Sequence, residues 1–415
     1  MLRRLPLVFL FAAACSSLPD DPIERADVIH ARALTLDTHK DIDDLLAPEQ
    51  LPEDPATREQ FRLRYDPTVR GEQQVDFPKM REGGYDCAFF IVYVGQGQLN
   101  PPGYHRALQA ANRKFDAIER MCRLYPETIG LARTPDDVER LHDEGKLICC
   151  IGIENGYPMG LDVARLREFY DRGARYMSIA HNRHSQLGDS HTPDEPLHGG
   201  LSELGRQAIA EMNRLGIMVD VSHASKATML QAVAASRAPV IASHSGARAV
   251  YDHSRNLDDE QLRALAQKGG VVQCVALDEY VRSSAERAAA LQALREQVGL
   301  GEGGGDVSDE ERAARWQRYK DGVPAIDAQF PRANVGDFVD HIDHVVQTVG
   351  IDHVGIGSDF DGGGGIVGWQ NAAESKNVTR ELVRRGYSEA AIDQIWSGNL
   401  LRVWREVERV AAASQ

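Results

Sequence analysis

Residues 202–245 read SELGRQAIAEMNRLGIMVDVSHASKATMLQAVAASRAPVIASHS. Ser202 is placed to cap a helix whose apolar positions Leu204, Ala208, Met212 and Leu215 recur at intervals of three and four, and Gly216 stops it. Two short runs follow, Ile217–Val221 and Pro239–Ala242, and each is followed two residues later by a histidine, His223 and His244. Runs this short, apolar on both sides, suit parallel strands covered on both faces. The stretch therefore reads as a helix and two strands, with a polar residue just past the end of each strand.

The same pattern extends outward in both directions. Further runs are Ala33–Asp37, Cys87–Val94, Leu147–Ile153, Tyr176–Ala180, Gly270–Val275 and His353–Ile356. Helical segments separate them; Asn256 or Asp258 is placed to cap one that passes through Leu262 and Leu265 to Gly269. Strand and helix alternating eight times predict an α/β fold, a (β/α)8 TIM barrel. A doubly wound open sheet is the competing architecture.

The polar residues favour the barrel. His39 and Asp41 follow the first run, Glu154 the third, His181 the fourth, His223 the fifth, His244 the sixth and Asp359 the eighth. In a barrel these positions open onto one C-terminal face, where residues distant in sequence become neighbours. A lone histidine after a strand is more often a hydrogen-bonded loop residue, and a lone carboxylate there is usually a helix cap. Seven such residues at six strand ends point to a shared site. His341 and His344 precede the last strand, at the opposite end, and are expected on a solvated helix face. His142, His184, His191 and His198 are expected to need no metal.

Composition narrows the function. The chain has 415 residues, with 47 Lys+Arg against 62 Asp+Glu and a formal net charge of −15. Binding to phosphate backbones needs concentrated positive charge, so nucleic acid is not an expected partner. With 42% hydrophobic and 26% charged residues, a disordered chain and a multi-span membrane protein are excluded.

At the N-terminus, Arg3 and Arg4 precede an apolar run from Leu5 to Ala14. At ~1.5 Å per residue, this run reaches only about half of the ~30 Å hydrocarbon layer. Residues 1–19 are therefore expected to be a signal peptide, and the protein to be exported to the periplasm or cell envelope. Ala12-Ala13-Ala14-Cys15 resembles a lipobox that would lipidate Cys15, the one expected membrane attachment; plain cleavage is the alternative. A single barrel domain is expected over 25–412, with a helical insertion at about 281–335. In that insertion Gly301–Asp306 reads as a break, and the charged stretch Ser308–Lys320 as helix. Of the remaining cysteines, Cys87, Cys149, Cys150 and Cys274 lie in apolar runs and are expected to be small buried hydrophobes. No CxxC pair suggests a thiolate zinc site.

The cluster's chemistry suits a pair of cations. His39 and Asp41, at i and i+2, point to the same side of a strand and can reach one ion. His223 and His244 can grip a second, and Glu154 has two oxygens with which to bridge. Three imidazoles and two carboxylates fit two Zn2+ ions, with Mn2+ or Co2+ as substitutes. Such a pair, ~3.5–4 Å apart, can hold a shared hydroxide.

Five pieces occur in order: Asp37-Thr38-His39-Lys40-Asp41, Gly152-Ile153-Glu154-Asn155-Gly156, Asp220-Val221-Ser222-His223, Ser243-His244-Ser245 and Gly357-Ser358-Asp359-Phe360-Asp361-Gly362. Together they resemble the membrane dipeptidase (renal dipeptidase, peptidase M19) family of the amidohydrolase superfamily, over about residues 30 to 410. The resemblance implies a zinc-dependent dipeptidase acting on short peptides with a free C-terminal carboxylate, through a metal-bridging hydroxide. It implies His39, Asp41, Glu154, His223 and His244 as ligands, with Glu154 bridging. It implies His181 at the substrate carbonyl and Arg255, in Ser254-Arg255-Asn256, on the substrate carboxylate. Asp359 is then expected to carry the proton from nucleophile to leaving amine. Tyr157 and the seventh run depart from the mammalian pattern, which touches the pocket rather than the metals. A related amidohydrolase acting on N-acyl amino acids or a peptide-derived metabolite is the alternative, and a non-catalytic envelope protein binding zinc or a peptide is a third reading. A homodimer is the expected assembly.

Overall fold

The computed structural model describes residues 18–300 and 307–414. Residues 1–17 of the expected signal segment, Cys15 among them, and the Gly301–Asp306 break lie outside the described residues. The strands are β1 (Leu36–Asp41), β2 (Cys87–Tyr93), β3 (Ile129–Leu131), β4 (Leu147–Glu154), β5 (Ala174–Ser178), β6 (Met218–Asp220), β7 (Val240–Ser245), β8 (Val271–Val275) and β9 (Val354–Gly357). All pairings are parallel, in the order β1-β2-β4-β5-β6-β7-β8-β9, with β3 attached outside the ring to β4. The ring is closed by backbone bonds from Asp359 N to His39 O (2.9 Å) and from Asp41 N to Phe360 O (2.8 Å). Closure excludes the open sheet and establishes the (β/α)8 barrel.

The helices form where the sequence signals them. Ser202 Oγ accepts from Gly205 N and starts the helix Glu203–Leu215, which Gly216 ends at φ 90°. Asp258, not Asn256, caps Asp259–Gln267, in a box completed by Gln261. The face of the outer helices turned to the strands forms the main core, while residues inside the ring form a second. The helix Asn399–Ala412 closes the floor of the ring: Trp404 packs on Phe89 at 5.8 Å, and Arg402 binds the carbonyl of Gly269, ahead of β8. The helix fills this end of the ring, and the imidazoles and carboxylates singled out above gather at the opposite, C-terminal strand ends.

Four local expectations change. The first strand spans Leu36–Asp41 rather than Ala33–Asp37, so His39 and Asp41 lie on it, not after it. β3, three residues long, is too short to give a periodic signal. His341 is buried, not solvated: its Nδ1 accepts from Ala247 N at 2.9 Å and its Nε2 lies 2.9 Å from Val281 O. In the insertion, Asp309–Asp327 forms a helix longer than Ser308–Lys320, beside a second helix, Ala285–Gln297. Arg287 joins the two by an ion pair to Asp327 at 2.7 Å, and Tyr319 Oη ties Asp309–Asp327 to Glu279 beyond β8. Among the described residues five cysteines are free; Cys87, Cys149, Cys150 and Cys274 are buried, as expected.

Candidate metal centre and active site

Each chemical residue sits at the same end of the ring. β1 carries His39 and Asp41, β4 ends at Glu154, and β7 carries His244. His181, His223 and Asp359 stand just past β5, β6 and β9. His223 (φ 65°) and Asp359 (φ 61°), and Asn155 beside Glu154 (φ 77°), occupy the left-handed region that costs a non-glycine residue energy. Strain concentrated at three strand ends around one pocket marks the place where the fold aims side chains.

The seven side chains converge. Nitrogens and carboxylate oxygens lie within 4.8 Å of one another in three overlapping groups: His39 with Glu154 and His244, Glu154 with His181 and His223, and His39 with Asp41 and Asp359. Glu154 connects the two sides. Its Oε1 is 3.0 Å from His223 Nε2 and 3.3 Å from His244 Nε2, while its Oε2 faces His39 Nε2 at 3.8 Å. His39 Nε2 also has Asp41 at 3.6 Å and Asp359 at 3.7 Å. This nitrogen is buried without a hydrogen-bond partner.

The outer ring nitrogens are all engaged. His223 Nδ1 donates to Asn182 Oδ1 at 3.0 Å. His244 Nδ1 donates to Ser243 Oγ at 2.8 Å, and that hydroxyl donates to Asp220 at 2.6 Å. His39 Nδ1 donates to the Tyr176 oxygen at 3.0 Å, whose own proton goes to Thr38 O. With Nδ1 donating, Nε2 is in each case the nitrogen turned inward, the one a metal would take. Three inward nitrogens and a two-sided carboxylate, one nitrogen lacking any protein partner, fit paired divalent cations.

Electrostatics agree. Burial pushes the Glu154 carboxyl up to about 8, against the pull of His39. It likewise raises Asp359 to about 7. Burial opposes charge on His39, yet Glu154 and then Asp41 carry its imidazole up to about 9. Without cations the pocket holds protons in their place. His223 and His244 fall well below the usual histidine range through burial and, among other nearby cations, Arg255, and His181 falls to about 3 for the same reasons.

Arg255 is buried at the β7 end, donating from Nη1 to Ser245 Oγ at 2.9 Å and from Nη2 to His244 O at 2.7 Å. Its Nε has no partner, and Tyr280 flanks the guanidinium at 5.6 Å. A cavity of ≈ 130 Å³ lies beside it, lined in part by His191, His223, Ser245 and Ser254. The structure thus brings together all of the site residues expected from sequence.

Four others escaped the sequence reading: Tyr176, Asn182, Ser243 and Tyr280. Asn182 and Ser243 adjoin His181 and His244, an available signal. Tyr176 lies within an apolar run and Tyr280 follows the seventh one, so neither differs from a core aromatic.

A closed parallel barrel whose strand ends pool imidazoles and carboxylates around a space for cations defines a metal-dependent hydrolase. The family model for membrane dipeptidase (peptidase family M19) matches residues 23–415, and the chain belongs to that family. Its catalytic class is accordingly that of a metallo-dipeptidase. Dipeptidase tcpJ of Claviceps purpurea (strain 20.1) is 31% identical over 357 residues, which cover 85% of this chain and 73% of that protein. The probable dipeptidase PvdM from Pseudomonas aeruginosa superposes with a TM-score of 0.81 at 32% identity, covering 95% of this chain and 100% of that one. A metallo peptidase from Rhodobacter sphaeroides, liganded with a phosphinate mimic of the dipeptide L-Ala-D-Ala, gives 0.68 at 25% identity, over 90% and 99% of the two chains.

Proposed function

We propose that this chain hydrolyses dipeptides bearing a free C-terminal carboxylate, with two zinc ions held by His39, Asp41, Glu154, His223 and His244. The two-sided placement of Glu154 carries this reading. One oxygen faces His223 and His244, and the other faces His39. When bound, the ions would polarise the scissile carbonyl and supply a water acidic enough to attack near neutral pH. The nitrogen and oxygen donor set suits zinc, and also manganese or cobalt.

The chain's own residues do the rest. Asp359, raised to about 7, takes the proton of the attacking water and returns it to the departing amine. Neutral His181 donates an N–H toward the carbonyl oxygen as negative charge develops there. Arg255 receives the substrate carboxylate on its unpartnered Nε and a remaining Nη hydrogen, a planar two-point grip. That grip restricts the enzyme to very short peptides.

Export, lipidation of Cys15 and pairing as a homodimer belong to the same proposal. A Cys15→Ser chain expressed with its signal should leave the membrane fraction, and sedimentation should give twice the chain mass. The central test is metal analysis of purified protein beside a panel of dipeptides, their C-terminal amides and N-acyl amino acids. Two metals per chain and cleavage confined to free dipeptides are expected. Cleavage of N-acyl amino acids alone would replace this reading with the related amidohydrolase.

A further inference from the structure

The mouth opposite Arg255 is built from cations. In the ring order, β2 and β7 are four places apart in either direction, so they face each other across the barrel. Arg255 is fastened to the β7 end. Tyr93, the last residue of β2, packs on His181 at 4.8 Å. Lys114 Nζ, from the helix Pro101–Leu124, lies 5.4 Å from the centre of the Tyr93 ring. Arg312, from the insertion helix Asp309–Asp327, reaches the same place: a methyl on Gly95 would meet its Nη1 at 3.1 Å and Tyr93 Oη at 3.9 Å. Arg183, two residues past His181, is exposed and contributes to the field at Tyr93.

The charges there are not internally balanced. Lys114 faces Asp41, Asp43, Asp44 and Glu154, and Asp44 is already paired with Arg113 at 2.7 Å. Among the described side chains, neither Arg183 nor Arg312 forms an ion pair with a carboxylate, and Arg312 Nη2 donates to Val307 O at 3.5 Å. In a chain of net charge −15, two arginines at one rim without a described carboxylate partner run against the composition. A dipeptide whose carboxylate sits at Arg255 points its N-terminal residue across the ring toward this rim.

We infer that Arg312, with Arg183 and Lys114 around Tyr93, selects dipeptides whose N-terminal residue carries an acidic side chain. This rests on the proposed role of Arg255 in holding the C-terminal carboxylate. The insertion is then a specificity element, adding Arg312 to the cations that the barrel's own Arg183 and Lys114 bring to this rim.

The test compares kcat/KM for Glu-Ala, Gln-Ala and Lys-Ala on the metal-loaded enzyme, with both configurations at Ala. Glu-Ala should exceed Gln-Ala by roughly fivefold, the scale of one partly exposed charge pair, and the margin should shrink as salt is raised. Arg312→Gln should bring the Glu/Gln ratio toward one, and Arg312→Glu should move the order toward Lys-Ala. A structural role alone would lower all three substrates together and leave their ratios in place, which overturns the inference. Equal wild-type rates on Glu-Ala and Gln-Ala overturn it while leaving the dipeptidase reading intact. No hydrolysis of any of the three overturns that reading and this inference with it.

Discussion

His223 and His244 meet Nε2 to Nε2 at 2.9 Å, each with its Nδ1 hydrogen already given to a protein oxygen. Two inward lone pairs at that distance repel unless a cation or a proton lies between them. Burial holds both imidazoles well below the usual histidine range, so the charged imidazolium is disfavoured. A divalent cation shared by the two nitrogens would remove the repulsion without charging either ring.

Removal of metal should therefore cost stability as well as activity. A ligand present at a hundred times its Kd stabilises by about 2.7 kcal/mol. Chelator-treated protein should melt several degrees lower and be inactive, with both properties restored by zinc. An unchanged melting temperature after verified metal loss would contradict the site.

Metal affinity should rise with pH. His39 and Glu154 keep their protons up to about 9 and about 8 in the metal-free pocket, so below those values a cation must displace protons to bind. Raising pH from 6 to 9 strips them and strengthens binding, with proton release on metal addition. His223 and His244, already neutral, add no opposing step. Competition titrations against a metal-binding dye across this range check the sign; a flat or falling affinity refutes it.

Ser243→Ala should weaken metal retention. The hydroxyl links His244 Nδ1 to Asp220, and losing such a support typically costs 10- to 100-fold in affinity or activity. Metal content after dialysis at fixed free zinc measures it. Ser243→Thr, which keeps the hydroxyl, should retain much of the affinity.

Asp359→Asn should keep bound metal and lose turnover. General acid–base catalysis is commonly worth 10²- to 10⁴-fold, and a fall of that size in kcat is expected. Wild-type kcat in the variant would remove Asp359 from proton transfer.

Arg255→Lys keeps a charge but loses the two-point fork, and should raise KM by roughly tenfold or more, since bonds to charged groups are worth about 1.5–3 kcal/mol. The defect should be small for C-terminal amides, which wild-type enzyme already handles poorly. Equal KM for free and amidated dipeptides in wild-type protein would refute the assignment.

Much of this site was legible before folding was considered. His39, Glu154, His223 and His244 each stand at the end of an apolar run, and the topology of a barrel makes such positions neighbours. Ser202 and Gly216 marked a helix through capping chemistry that acts within one turn. His341 misled because its partners, Ala247 N and Val281 O, come from two other elements, and no local pattern distinguishes it from half-buried His344, which meets Asp259 at 2.8 Å.

The alternation of strands and helices and the placing of imidazoles and carboxylates at strand ends follow from the chain itself, because hydrophobic period and residue type are local properties; the dipeptidase class was legible as a resemblance carried by five motifs. What tertiary structure alone decided is direction and pairing. It set which nitrogen of each imidazole faces inward, which Glu154 oxygen faces which side, and the reach of Arg312 over Tyr93 from a helix more than two hundred residues away. Those depend on distances between strands joined only by closure of the ring, and no periodicity along one strand records them.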